Sequence, residues 1–330
     1  MHKIDPLAAA RVDTVEFIGA GLQRPECVLC TRAGHWYSAD WRGGVAHGRP
    51  DGSQAFYGAP VRDGRPMRPN GIALLPGGDF LLADLGESLG GIFRLSRAGQ
   101  LTAVAERIDG VDLPPTNFVT TDRAGRIWFT VSTRKVPRAL GYRPDCDDGF
   151  IAVHDAAGTR IVADGLGYTN ECVFDRAERW LYVNETFGRR LSRFPVREDG
   201  TLGARETVSE FGAGMFPDGL AVDASGDLWV TSIVSNRLVH VRADDGAQTV
   251  WLEDSDAAHL EEVERAYRGP GMGRPHLDAI RSRRLRNISS LAFGGPTLRT
   301  GHLGCLLGDA IACVTMPVAG LEPVHWHADD

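Results

Sequence analysis

Short apolar runs separated by turns rich in glycine, aspartate and asparagine fill most of this chain. Residues 215–230 set the frame. Pro217-Asp218-Gly219 opens one apolar run, Asp223-Ala224-Ser225-Gly226 makes a turn, and a second run ends at Val230. This pattern reads as two antiparallel strands with a tight connection, and Asp218 stands at the mouth of the first. The same frame starts at Glu26, Asn70, Asn117 and Asn170, and in degenerate form at Ser289. Successive anchors lie 44, 47, 53, 48 and 71 residues apart. Each copy continues with two further strand-like runs, such as Arg237–Val241 and residues 249–252 after Asp218. Four strands in a repeat of about 40–50 residues is the blade unit of a β-propeller. The expectation is therefore all-β: a six-bladed propeller with four-stranded antiparallel blades, one domain over residues 1–330. The apolar run at residues 15–18 is expected to complete the last blade and remove its open edge.

Two insertions interrupt the rhythm. Residues 134–148 begin basic and continue rich in proline and aspartate, as a loop over one face would. Residues 253–286 contain Leu260, Val263, Ala266 and Tyr267 at helical spacing, with Asp254 or Ser255 as N-cap. Gly269-Pro270-Gly271-Met272-Gly273 would stop that helix, and a second would begin near Pro275. The insertion either packs on the rim or caps the central site. The basic run Arg281-Ser282-Arg283-Arg284-Leu285-Arg286 reads as a solvated helix face.

Composition narrows the classes. A hydrophobic fraction of 43% with 24% charged residues is that of a soluble globular protein. A net charge of -7 argues against nucleic-acid and anionic-membrane partners. There is no apolar run of about 18 residues to cross a membrane and no long apolar core near Met1 to act as a leader. A cytoplasmic location is the expectation. Cys27, Cys172, Cys305 and Cys313 sit in apolar runs as core hydrophobes, and a spacing of three on a strand points Cys27 and Cys30 to opposite faces. His325 and His327 flank Trp326 in a tail expected to be packed or disordered. There is no nucleophile elbow, phosphate loop or dinucleotide fingerprint.

The first strand of a propeller blade lines the axis, so Glu26, Asn70, Asn117, Asn170, Asp218 and Ser289 should converge there. They offer carboxylates, amide oxygens and a hydroxyl, a hard donor set suited to Ca²⁺, Mg²⁺ or Mn²⁺, with Zn²⁺ also admissible. Two carboxylates facing each other in a narrow dry channel repel, and a divalent cation removes that conflict. His302, in the sixth repeat, is a candidate acid-base partner or substrate contact.

The repeat, its anchors and the motifs Pro69-Asn70-Gly71, Pro217-Asp218-Gly219 and Leu291-Ala292-Phe293-Gly294-Gly295 resemble the gluconolactonase and senescence-marker-protein (regucalcin-like) family over roughly residues 15–320. The resemblance implies one axial divalent cation held by Glu26, Asn170 and Asp218, with Asn117 close to the metal or its ligand and Asn70 in the same ring. It implies a metal-dependent hydrolase that opens a lactone, Asp218 also serving as general base. The chain departs from the family at Pro115, Phe118 and Cys27-Val28, and Phe118 together with the long fifth-blade insertion would make the pocket more apolar and more enclosed. The expected substrate is thus a lactone, one less polar than gluconolactone being the departure to test. A phosphotriester or other ester hydrolase at the same metal site, and a metal-stabilised binding module without catalysis, are the alternatives.

Overall fold

The computed structural model describes residues 8–58, 61–62 and 64–329. Six four-stranded antiparallel sheets and two short ribbons make up its β-structure. Blade one holds Val28–Cys30, Trp36–Asp40, Gly44–Gly48 and Gln54–Gly58. Blade two begins at Pro69–Leu74, blade three at Thr116–Thr121, blade four at Thr169–Phe174 and blade five at Pro217–Val222. Blade six combines Ile288–Gly294, Thr300–Cys305 and Ile311–Thr315 with Glu16–Ile18 from the other end of the chain, which pairs antiparallel with Ile311–Thr315. The ring closes as the residue pattern predicts, the N-terminal strand supplying the outermost strand of the last blade.

The innermost strands pack side by side around the axis. Between each neighbouring pair of blades lies its own apolar cluster. Trp128 and Trp229 are fully buried in two of these, and each indole N–H donates to the aspartate of the preceding turn, Asp122 at 2.9 Å and Asp223 at 3.0 Å. Cys27 and Cys30 fall in different clusters, and all six cysteines are free and buried.

The 253–286 insertion forms α1 (Ala257–Arg268) and α2 (Arg274–Asp278). The N-cap of α1 is Asp256, one or two residues later than the pattern suggests, and it accepts His259 N–H at 2.8 Å. Asp254 instead ties down the far end of the insertion. Its buried carboxylate accepts the backbone N–H groups of Arg283, Arg284 and Leu285 at 3.2, 2.7 and 2.9 Å. The basic run is consequently an irregular return to blade six and not a helix face. Arg284 reaches the carbonyl of Val15 at 2.7 Å.

Val263 and Tyr267 of α1 and Leu277 of α2 bury with Tyr142, Tyr168, Phe187, Phe216 and Ile233. Tyr168 and Phe216 precede the anchors of blades four and five, so this cluster covers the anchor end of the axis. The insertion is a cap. At the opposite end the C-terminal tail crosses from blade five to blade one. Leu321 N–H reaches Val222 O at 2.9 Å, Trp326 is buried, and Asp329 accepts the Tyr37 hydroxyl at 2.9 Å and the Thr31 hydroxyl at 3.0 Å. No helix among the described residues is long and apolar enough to cross a membrane.

Candidate active site

The anchors reach the axis through one recurring backbone device. In blades two to six the pairing of the first strand with the second slips at the anchor: between Pro69 and Ile72, Thr116 and Phe118, Thr169 and Cys172, Pro217 and Leu220, and Ile288 and Ser290. A bulge of this kind leaves a residue out of the ladder and re-aims its side chain. Hydroxyls on or just after the second strand then fix the freed groups in blades three, four and five. Ser132 accepts Asn117 Nδ2 at 2.8 Å, Thr186 accepts Asn170 Nδ2 at 3.0 Å, and Thr231 accepts Gly219 N–H at 2.8 Å.

Glu26, Asn70, Asn117, Asn170, Asp218 and Ser289 are all buried. Asn70 Nδ2 donates to Glu26 Oε1 at 2.8 Å and to Asn117 Oδ1 at 3.2 Å, tying three blades together. Ser289 Oγ donates to the carbonyl of Glu26 at 3.1 Å, and Asn184 holds the carbonyls of Asp218 and Gly219 at 3.2 and 3.0 Å. Arg24 pairs with Glu26 Oε2 at 2.9 Å. Asp218 Oδ1 and Asn70 Oδ1 are buried without any hydrogen-bond partner in the protein. Buried acceptors are normally satisfied, so two orphans in one ring ask for a ligand.

Burial pushes the Asp218 carboxyl well above the usual carboxylate range and the facing Glu26 adds to this, while Arg24 and Arg138 pull it down. A second carboxyl lies next to the ring. Glu171 occupies the register position held by Gly71 in blade two and Gly219 in blade five. Its Oε2 accepts Leu220 N–H at 2.9 Å; burial raises its pKa well above the usual range, that hydrogen bond opposes the rise, and Asp218 and Glu26 increase it. The signal for Glu171 is legible in the aligned repeats as the odd residue after an anchor.

Two expected contacts lie elsewhere. Phe118 lines a cavity of about 180 Å³ on the tail side of the ring, with Cys27, Glu171, Leu220 and residues 321–325. Being one residue past the bulge, it points down the axis and away from the mouth. His302 sits in the middle of the second strand of blade six, paired with Ala292 and Cys313. It packs beside Gly294, which also abuts Cys30, so it belongs to the seam between blades six and one. Burial lowers its pKa, as expected for a core histidine.

The donor chemistry fits a divalent cation. The ring presents oxygen ligands, and two of them have no other partner. Asp223, Asp227 and His240 also bring three ligand atoms within 4.8 Å of one another, at the tail end of blade five. There Asp223 is already committed, Oδ1 to the N–H groups of Ser225, Gly226 and Asp227 and Oδ2 to Trp229. That cluster fastens a turn.

Comparison with known proteins agrees with the fold. Residues 64–253 match the SMP-30/Gluconolactonase/LRE-like region, more than half of the chain, and this protein belongs to that family. A curated relative, the 6-deoxy-6-sulfogluconolactonase of Pseudomonas putida, is 30% identical over 219 residues, which span 64% of this chain and 62% of that protein. The gluconolactonase of Xanthomonas campestris superposes with a TM-score of 0.67 at 20% identity, covering 96% of each chain. The calcium-binding regucalcin of Agrobacterium tumefaciens gives 0.65 at 16% identity, covering 97% of this chain and 98% of that one. At those identities the two structures speak to the fold alone.

Proposed function

We propose that this protein is a divalent-metal-dependent lactonase whose reaction takes place over Asp218. The observation that carries the reading is the unpartnered Asp218 Oδ1, buried on the axis beside Glu26 and Asn170. Family membership and the lactonase name of the Pseudomonas relative support a lactone substrate. Glu26, Asn170 and Asp218 are the residues that would hold the cation, with Asn117 and Asn70 beside them. Bound there, a divalent cation supplies Lewis-acid polarisation of the carbonyl, activation of water and relief of the repulsion between two carboxylates.

The protein's own groups divide the remaining work. Asp218 takes a proton from the attacking water as the new C–O bond forms at the lactone carbonyl carbon. Asn117 and Asn170, fixed by Ser132 and Thr186, face the carbonyl oxygen as it gains charge. Collapse of the tetrahedral adduct breaks the ring C–O bond, and the proton on Asp218 passes to the departing alkoxide, which leaves as the hydroxyl of the ring-opened acid. The apolar cap excludes bulk water and strengthens each of these polar contacts.

Proton release from a panel of sugar and aliphatic γ- and δ-lactones tests the reading, before and after chelation and with Ca²⁺, Mn²⁺ or Zn²⁺ restored. Turnover is expected with at least one lactone, lost on chelation and regained with metal. Asp218→Asn is expected to lower kcat by a factor of about 10³ or more, with unfolding free energy within about 1 kcal/mol of the parent. Failure of every lactone with every metal sinks the proposal.

A further inference from the structure

The mouth contains a second set of unpartnered polar groups, separate from the ring of oxygen donors. Arg138 opens a short 3-10 turn, Arg138–Gly141, in the 134–148 loop of blade three. It is half-buried, and its Nε is buried without a hydrogen-bond partner. Its guanidinium carbon lies 5.6 Å from the ring centroid of Tyr168, whose hydroxyl is buried between Arg138 and Tyr142 without a well-formed hydrogen bond to either. Tyr168 holds φ at 68°, a conformation that a bulky aromatic residue rarely adopts, directly before the strand that presents Asn170.

Neighbouring arginines are matched: Arg24 by Glu26, Arg189 by Glu264 and Arg274 by Asp278. Among the described residues Arg138 makes no ion pair. It is nevertheless near enough to the axis for its charge to act on Glu26 and Asp218, and Arg274, next to Tyr142, adds further positive potential. Neutralising Glu26 does not account for Arg138, because Arg24 already occupies that carboxylate at 2.9 Å. A guanidinium partly withdrawn from water without a counter-charge carries a desolvation cost. A guanidinium fork and a phenolic O–H can both donate to an oxyanion, and planar bidentate recognition of such groups is what arginine does best.

We infer that Arg138 and the Tyr168 hydroxyl recognise an anionic substituent, a sulfonate, carboxylate or phosphate, on the substrate whose reacting carbonyl lies over Asp218. This rests on the lactonase reading for the identity of the reacting group. It reverses one expectation from the residue pattern: the enclosing cap is apolar, but the substrate it encloses is charged at the end away from the carbonyl.

Two measurements test the inference. In turnover, lactones that share one ring and differ only in a terminal hydroxyl, sulfonate, carboxylate or phosphate are compared. The wild type is expected to favour at least one anionic member by tenfold or more in kcat/KM, the preference shrinking as salt is raised and vanishing in Arg138→Gln. In calorimetry, the ring-opened acids with and without the same terminal anion are titrated into the metal-loaded protein, where nothing turns over. The doubly anionic acid is expected to bind at least tenfold more tightly than its partner, and Arg138→Gln is expected to remove that margin. Arg138→Lys, which keeps the charge without the fork, should retain part of it. Should Arg138→Gln not fold, Tyr168→Phe, which deletes only the hydroxyl, is expected to narrow the margin. Equal wild-type affinity for the paired acids overturns the inference, as does an equal proportional loss on both in Arg138→Gln. If no lactone turns over while the calorimetric margin persists, the lactonase reading falls and the anion site stands.

Discussion

Removing Glu264 should release the cap without touching the ring. Glu264 on α1 takes two contacts from Arg189, Nη1 to Oε2 at 3.2 Å and a shorter one from Nη2 to Oε1. Its Oε1 also accepts Gly214 N–H at 2.7 Å. The same guanidinium carbon lies 3.9 Å from the ring centroid of Tyr267 and 4.3 Å from that of Phe216. The two side chains are 11% and 13% exposed. Glu264→Ala strands a largely buried guanidinium and a backbone N–H. Breaking one side of a buried pair costs about 3–5 kcal/mol, and the remaining solvent access argues for about 3. Because the lost contacts join α1 to blades four and five, the cost falls on cap docking. At a factor of ten per 1.4 kcal/mol, hydrogen-exchange protection of the Ala257–Arg268 amides should drop by about two orders of magnitude, with protection of the blade strands preserved. A double-mutant cycle with Arg189→Met should give a coupling of about 2 kcal/mol or more.

The pH dependence has a definite sign. Burial raises the Glu264 pKa, but Arg189 and the Gly214 N–H outweigh it, and the carboxyl ends below its ordinary value. A depressed folded pKa contributes stability that is complete above the unfolded value and disappears as pH falls through the folded one. Cap protection in the wild type should therefore decline below about pH 4, near the ordinary glutamate range, while Glu264→Ala shows no such decline. Unchanged protection of α1 in the variant, or strict additivity in the cycle, refutes the account of the cap.

Two further outcomes separate packing from chemistry. A Cβ on Gly219 would stand 2.4 Å from the Cα of Ser290 and from the carbonyl oxygen of Ser289, both backbone atoms with little room to yield. Gly219→Ala should cost about 3 kcal/mol in urea unfolding and depress turnover by displacing Asp218, whereas Gly212→Ala, which meets nothing within 4 Å, should stay within about 0.5 kcal/mol. His302→Gln should leave kcat/KM within about twofold while lowering the unfolding midpoint, since a seam residue affects stability; a large loss of activity at unchanged stability would return His302 to the site.

The blades were legible because each inner strand and its neighbour keep apolar residues in register on either side of a fixed turn, as with Asp122 and Asp223 below Trp128 and Trp229. The anchors were legible for the same reason: Glu26, Asn70, Asn117, Asn170 and Asp218 share one register position. The bulge at that position was not, because slippage in pairing depends on two strands at once. A regular strand would carry Phe118 to the mouth, whereas the bulge turns it toward the tail. Arg138 was hidden for a related reason. Its position depends on how the 15-residue loop 134–148 folds back on Tyr168, and no periodicity records that. The spacing of Leu260, Val263, Ala266 and Tyr267 gave α1 its buried face, but Asp254, Ser255 and Asp256 are interchangeable as cap candidates until Asp254 is seen holding Arg283, Arg284 and Leu285.

The two ends of the axis are covered by different means. Toward the tail, Glu171 fills the register position that glycine holds in blades two and five, and its carboxyl is fastened to Leu220. Beneath it Phe118 lines a cavity partly walled by the tail, and the tail is held by Asp329 on Tyr37, Thr31 and Arg97. A substrate approaching from there would have to displace packed side chains and a strapped segment before meeting Asp218. Toward the anchors, closure rests on the Arg189–Glu264 pair with its Gly214 contact, the Tyr267 hydroxyl on Phe187 O, Asn287 Nδ2 on Leu277 O and an aromatic cluster. That end also carries the unpaired Arg138. On the lactonase reading we propose that the cap end is the one that opens, α1 lifting to admit water and substrate to Asp218, whose Oδ1 is buried without a protein partner.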